Sequence, residues 1–120
     1  EGLEITVINN SNLIGKPLSM LLTEKGATVT LCNKHTKELE KHTKNSDVVV
    51  TATGVRGLLK PEIVRENSII IDAGYSFGKG DIEDKQAMSQ KTIFCGVPGG
   101  VGPITVAVTM KNLLECYKNQ

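Results

Sequence analysis

A three-layer α/β fold around a mainly parallel sheet is what the order of apolar runs in this chain predicts. Short runs rich in β-branched residues alternate with stretches whose leucines recur at helical spacing. The loops that follow those runs are rich in asparagine, glycine or proline. Strands separated by helices of about ten residues form βαβ units, and such units impose a parallel sheet. The 120 residues suffice for one domain with one core and are too few for two. The expectation is therefore a single Rossmann-like domain over residues 1–120.

Each element follows from local pattern. Ile5-Thr6-Val7-Ile8 is the first strand, closed by the turn-prone Asn9-Asn10-Ser11-Asn12. A helix is predicted over 17–25, with Pro17 setting its first turn, Leu18, Leu21 and Leu22 at helical spacing, and Gly26 ending it. Thr28–Cys32 is the second strand. Thr36–Lys44 is a weakly amphipathic helix anchored by Leu39, whose Glu38, Glu40, Lys41 and Lys44 form a solvated face of i,i+3 and i,i+4 pairs. Asp47–Thr51 is a third strand, almost continuously apolar, as strands covered on both faces are. Lys60-Pro61-Glu62 opens a short helix reaching Arg65, and Ser68–Asp72 is a fourth strand. Residues 74–90 are irregular or partly helical, Thr92–Cys95 is the last strand, and an apolar helix runs from Val106 to Tyr117.

Composition narrows the function classes. A net charge of +1 gives no field that would call for nucleic acid or an anionic membrane, and 3% aromatic residues disfavour base-stacking platforms. No apolar run approaches the roughly 20 residues needed to cross a bilayer. Cys32, Cys95 and Cys116 are an odd set without CxxC spacing, which argues for reduced thiols in the cytoplasm, or in an organelle matrix. His35 and His42 fit no zinc spacing with Cys32 and lie among lysines, so no metal site is expected. No Ser/His/Asp or Cys/His set carries a nucleophile signature, and no catalytic residue is assigned. The chain opens on Glu1 and is already inside a strand by Ile5, which reads as part of a longer polypeptide.

In parallel sheets ligands bind at the carboxyl ends of the strands, where strand order reverses. The loops of interest are thus 9–15, 33–36, 53–57, 73–78 and 96–105. The last contains Val97-Pro98-Gly99-Gly100-Val101-Gly102-Pro103-Ile104-Thr105, with three glycines and two prolines within six residues. Bare backbone there admits close approach of a flat or anionic ligand, although a tight turn before a helix has the same ingredients. The loop Asn9–Pro17 is neither GxGxxG nor a Walker A loop, because Asn10 stands five positions before Gly15 and Pro17 follows Lys16. On its own chemistry it is equally a phosphate loop and an ordinary strand-to-helix turn.

The nine-residue glycine string resembles the signature of the bifunctional methylenetetrahydrofolate dehydrogenase/cyclohydrolase family, and other motifs follow in that family's order. Ser11, Gly15 and Pro17 match its Gly-Arg-Ser-x-x-Val-Gly-x-Pro, with Asn9 and Asn10 replacing the Gly and Arg. Thr51-Ala52-Thr53-Gly54 resembles its Ala-x-Gly segment, Asp72-Ala73-Gly74-Tyr75-Ser76 its Asp-x-Gly-Ile-Asn, and Gly80-Asp81-Ile82 its Gly-Asp-Val, where Asp81 is given a structural role. The resemblance covers the C-terminal NAD(P)-binding half of the family and implies a partner N-terminal domain that supplies the Tyr and Lys of the folate site.

The implied activity is oxidation of 5,10-methylenetetrahydrofolate to the methenyl cation with NADP or NAD, then hydrolysis to 10-formyltetrahydrofolate. The implied cofactor-binding residues are Asn9, Asn10, Ser11, Gly15, Pro17, Lys34, Thr53, Gly54, Gly74, Tyr75 and Thr105. Pro98, Gly99, Gly100, Val101 and Gly102 would wall the tetrahydrofolate cleft. Asn10 removes the cation that grips the 2′-phosphate of NADP in the family. No acid follows the second strand, as an NAD-specific domain would have, and Lys34 stands where a phosphate-binding Ser is usual. NADP is accordingly favoured over NAD. A homodimer is implied, and the isolated domain is expected to show no turnover. The rival readings are another small-substrate dehydrogenase and a non-catalytic nucleotide-binding module, the latter suggested by Asn9 and Asn10.

Overall fold

The structure, a computed structural model, describes residues 1–119. Its elements in chain order are β1 (Glu4–Ile8), α1 (Gly15–Glu24), β2 (Thr28–Cys32), α2 (Leu39–Lys44), β3 (Val48–Thr51), a 3-10 turn (Pro61–Ile63), β4 (Ile69–Asp72), α3 (Lys85–Lys91), β5 (Ile93–Cys95) and α4 (Val101–Lys118). The five strands form one sheet in the order β2-β1-β3-β4-β5, and every pair is parallel. Strand order reverses between β1 and β3. The register sets Ile8 beside both Cys32 and Thr51, and Thr51 beside Asp72, so these strand ends share one edge of the sheet.

Period-2 alternation splits the core between the two faces. On one face Ile8, Val49 and Ile70 meet Leu59, Val64, Ile82 and Met88, with Leu39 of α2 packed alongside. On the other, Ile5, Val7, Val48 and Val50 meet Leu18 and Leu22 of α1. Thr6 shares the first face, and its hydroxyl pairs with Ser46 Oγ at 2.7 Å, which satisfies both buried groups. The layer on α1's side is incomplete: Ile69 and Ile93 stay exposed, and none of the 18 residues of α4 is buried.

Element bounds differ from the sequence expectation where side chains or special backbone angles intervene. α1 starts at Gly15, two residues before Pro17, because a proline in the first turn has no intrahelical donor to lose. α2 starts at Leu39 and not at Thr36. The Thr36 hydroxyl accepts from Asn33 N at 2.9 Å to close a turn, and Glu38 lies in the left-handed region at φ 52°. In the irregular stretch after Gly74, Asp84 accepts from Ala87 N at 2.9 Å and caps α3. The short helix at Pro61 is a single 3-10 turn, ended by extended Val64.

Truncating a side chain that bridges the sheet and its cover leaves a cavity. Ile70 is 0% exposed, and Ile70→Ala is expected to lower unfolding free energy by about 3 kcal/mol in urea titration. Burial pushes the Cys32 thiol above its ordinary pKa of 9.0, with a bond from Thr36 pulling partly back. The folded state therefore keeps this proton longer than the unfolded chain does. Below 9.0 there is no penalty; above it, stability falls as the unfolded chain deprotonates first. Stability of the wild type should decline more steeply through that alkaline range than stability of Cys32→Ala.

Candidate functional site

The carboxyl edge of the sheet carries the site, and its centre is the gap between β1 and β3. Asn9 spans that gap: its Nδ2 donates to Ala52 O, and its Oδ1 accepts from Ser11 N at 2.6 Å. The Ser11 hydroxyl accepts from Ile14 N at 3.1 Å, and Ser11 O accepts from Lys16 N at 3.1 Å, which winds the loop into α1. Gly15 is buried with its Cα against the Asn9 carbonyl, where a Cβ has no room. Asn10 is exposed, and Pro17 lies in the first turn of α1 beside an apolar groove.

Two clefts flank this centre. The first, about 440 Å³, is lined by Ile8, Asn9, Lys34, Thr36, Thr53 and Val55 among others. Its lining contains no acid. The turn that presents Lys34 is fixed by His35 N donating to Asn33 Oδ1 at 2.8 Å and Thr36 N donating to Asn33 O at 3.0 Å. Lys34 itself is exposed, so its ammonium can reach an anion without first leaving a buried partner.

The second cleft, about 340 Å³, is walled by Gly74, Tyr75 and the run from Val97 to Pro103, with Thr105 at its rim. Lys85 Nζ donates to Val97 O and braces this loop from α3. The sequence places residues up to Thr105 in a loop, but α4 takes in Val101 onwards. Gly102 and Pro103 therefore belong to its first turn, where a proline sacrifices no hydrogen bond. Thr105 is helical, with its hydroxyl donating to Val101 O at 3.0 Å. Gly54 is in the lining of neither cleft, and a Cβ on it would lie 3.7 Å from Tyr75 O.

Behind both clefts lie two buried acids that sequence reading did not place in the site. Asp72 Oδ1 accepts from Gly74 N at 3.0 Å and Asp81 N at 3.1 Å, and its Oδ2 accepts from Ile82 N at 3.1 Å. Asp81 Oδ2 accepts from Thr51 Oγ1, Thr53 N and Thr53 Oγ1 at 2.6, 2.7 and 2.9 Å. The available signal was the recurrence of acid and glycine in Asp72-Ala73-Gly74 and Gly80-Asp81. Among the described residues, no group of three or more His, Cys, Asp or Glu side chains is placed to hold a metal ion.

The family model for the tetrahydrofolate dehydrogenase/cyclohydrolase NAD(P)-binding domain matches residues 1–120. The chain belongs to that family. It is 40% identical over 121 residues to the bifunctional protein FolD of Mycoplasma mycoides, covering 96% of this chain and 42% of the relative. It is 43% identical over 122 residues to FolD of Caldanaerobacter subterraneus, covering 98% and 44%. The bifunctional FolD of Campylobacter jejuni superposes with a TM-score of 0.94 at 35% identity, over 99% of this chain and 44% of that one. A Trypanosoma brucei methylenetetrahydrofolate dehydrogenase-cyclohydrolase, solved with NADP and an inhibitor, gives 0.88 at 30% identity, over 98% and 44%. The chain thus spans less than half the length of these relatives.

The loops that follow β1 and β3 leave the sheet at the β1/β3 reversal, the position at which parallel α/β sheets bind ligands. Gly15 is the tightest point of that arrangement. Gly15→Ala must push the Asn9 carbonyl away, and is expected to cost about 1–3 kcal/mol in chemical denaturation.

Proposed function

We propose that this domain binds NADP in an enzyme that oxidises 5,10-methylenetetrahydrofolate and hydrolyses the product to 10-formyltetrahydrofolate. The observation that carries the reading is the pair of clefts on one sheet edge, one presenting Lys34 without an acid, the other walled by bare glycine backbone. A bound NADP would supply a nicotinamide that accepts hydride.

The chain's own residues bind and orient. Asn10, Ser11, Gly15 and Pro17 shape the diphosphate loop at the start of α1, where Ser11 retains its hydroxyl proton for donation. Asn9 fixes that loop to Ala52. Lys34 meets the 2′-phosphate, and Thr53 and Gly54 border the ribose. Backbone of Gly74 and Tyr75, with Thr105 opposite, holds the nicotinamide face. Pro98, Gly99, Gly100, Val101 and Gly102 leave space for the flat pterin.

The apolar residues of α4 support a further domain as part of the whole enzyme. Ile104, Met110, Leu113, Leu114 and Tyr117 are all exposed on this helix, far more apolar surface than a free helix keeps in water. Packing on an N-terminal folate domain would cover them; a whole-protein structure without such contact would remove this support. The uncovered Ile69 and Ile93 on the sheet suit a second copy, as in a homodimer. The free thiols of Cys32, Cys95 and Cys116 suit a reducing compartment such as the cytoplasm. No helix among the described residues is long and apolar enough to cross a membrane.

One observation favours a rival: the Asn9 side chain is consumed by Ala52 and Ser11, as in a purely structural turn. Calorimetric titration of the whole protein with NADP and NAD separates the readings. NADP is expected to bind more tightly, and Lys34→Ala should weaken NADP by about tenfold while leaving NAD unchanged. Preference for NAD would overturn the phosphate role of Lys34. Binding of neither dinucleotide would select a non-catalytic module.

A further inference from the structure

Asp81 is 0% exposed and touches neither cleft, yet two of the three donors on its Oδ2 belong to Thr53, which lines the first cleft. Thr53 gives both its amide and its hydroxyl. That hydroxyl in turn accepts from Val55 N at 3.1 Å, so the turn around Gly54 hangs on one carboxyl oxygen. The main chain of the same residue adds a fourth tie, with Asp81 O accepting from Gly57 N at 2.7 Å.

The other oxygen, Oδ1, has no hydrogen-bond partner among the described residues and lies against the Cα of Gly74. Gly74 is thereby held at a distance set by the carboxyl group, since any Cβ there would overlap it. Asp72 completes the frame by accepting from Gly74 N and from the amides of Asp81 and Ile82. The segment from Gly74 to Gly80 is thus pinned at both ends by acids, and the loop after β3 is pinned to the loop after β4.

From this we infer that Asp81 is a positioning residue for the dinucleotide, fixing Thr53–Gly54 and Gly74–Tyr75 relative to each other so that the ribose and nicotinamide ends of NADP are met together. The inference rests on the cofactor reading above. Asp81 contacts no ligand in this scheme and moves no proton. Its contribution is preorganisation: loops held before binding need not be ordered during it.

The test compares Asp81→Asn, Asp81→Ala and Thr51→Val in the whole protein. Asn keeps the shape and one acceptor oxygen; Ala removes the acceptor. Thr51 bonds the same carboxyl group from within β3 but lines neither cleft. The readouts are calorimetric Kd for NADP, hydrogen exchange of the Thr53 and Gly74 amides without ligand, thermal midpoint, and KM for each substrate. Asp81→Ala is expected to weaken NADP by about tenfold and Asp81→Asn by about threefold. Exchange at Thr53 should quicken in the same order, with KM for the folate substrate unchanged. Thr51→Val should lower the thermal midpoint and leave the NADP Kd in place.

Should Asp81→Ala fail to fold, Asp81→Asn and Thr51→Val still decide the matter. Asp81→Asn with wild-type NADP affinity and a lowered midpoint would make the residue merely structural and overturn the inference. Equal rises in both KM values would overturn it too. A wild-type protein that binds no dinucleotide would instead sink the cofactor reading, and this inference with it.

Discussion

Because β1, β3 and β4 pair in parallel and in register, Ile8, Thr51 and Asp72 lie side by side, and their chains leave the ladder at the same level. Backbone groups just beyond that level lose the ladder's partners, yet many remain buried. A buried amide or carbonyl without a partner costs more than most single contacts return. The sheet edge therefore has to be finished with side chains. The ladder reaches one step further, with Ala52 N donating to Ile8 O at 3.3 Å and Ala73 N to Thr51 O at 2.8 Å. From there Asn9, Asp72 and Asp81 take over.

These three residues solve a single problem at neighbouring gaps. Asn9 supplies a donor across to Ala52 and an acceptor to Ser11 within its own loop, both from one amide side chain. Asp81 supplies acceptors alone, where the chain offers two hydroxyls and an amide. Glycine accompanies each, because an oxygen lying against backbone leaves no volume for a Cβ: Gly15 faces the Asn9 main-chain carbonyl, Gly80 the Asp72 carboxyl group and Gly74 that of Asp81. The floor of the two clefts follows from pairing buried polar groups, with Asp81 Oδ1 the exception among the described residues. Exposed Lys34 and Tyr75 stand on that floor, free to meet a ligand.

The apolar surfaces tell a complementary story about what the fold leaves undone. Residues on the α2 and α3 side of the sheet close into one core, whereas on the other side α1 covers β1 and β3 but not all of β4 and β5. α4 buries none of its residues against the sheet. One face is finished and the other is not, in a chain whose relatives are more than twice its length.

Strand positions, the alternation of strand and helix, and the run from Pro98 to Pro103 were legible in the sequence because each is a local property. β-branching, leucine spacing, and backbone freedom act over a few residues and need no knowledge of neighbours. The place of Lys34, just beyond the end of β2, was legible for the same reason. What tertiary structure alone decided was every consequence of register. Asp72 ends a strand and Asp81 reads as structural, but what each one holds is set only when parallel pairing brings Thr51 next to Asp72 and Thr53 onto Asp81. Asn9, likewise, is a turn residue by sequence and a bridge only once Ala52 arrives across the sheet. Helix bounds moved for local reasons that the spacing of apolar residues does not report: the Thr36 hydroxyl closes a turn on Asn33 N, and Asp84 caps α3 through Ala87 N. Sequence determined the strands, the helices and the chemical groups at their ends; pairing determined which of those groups meet, because a hydrogen bond needs both partners in place.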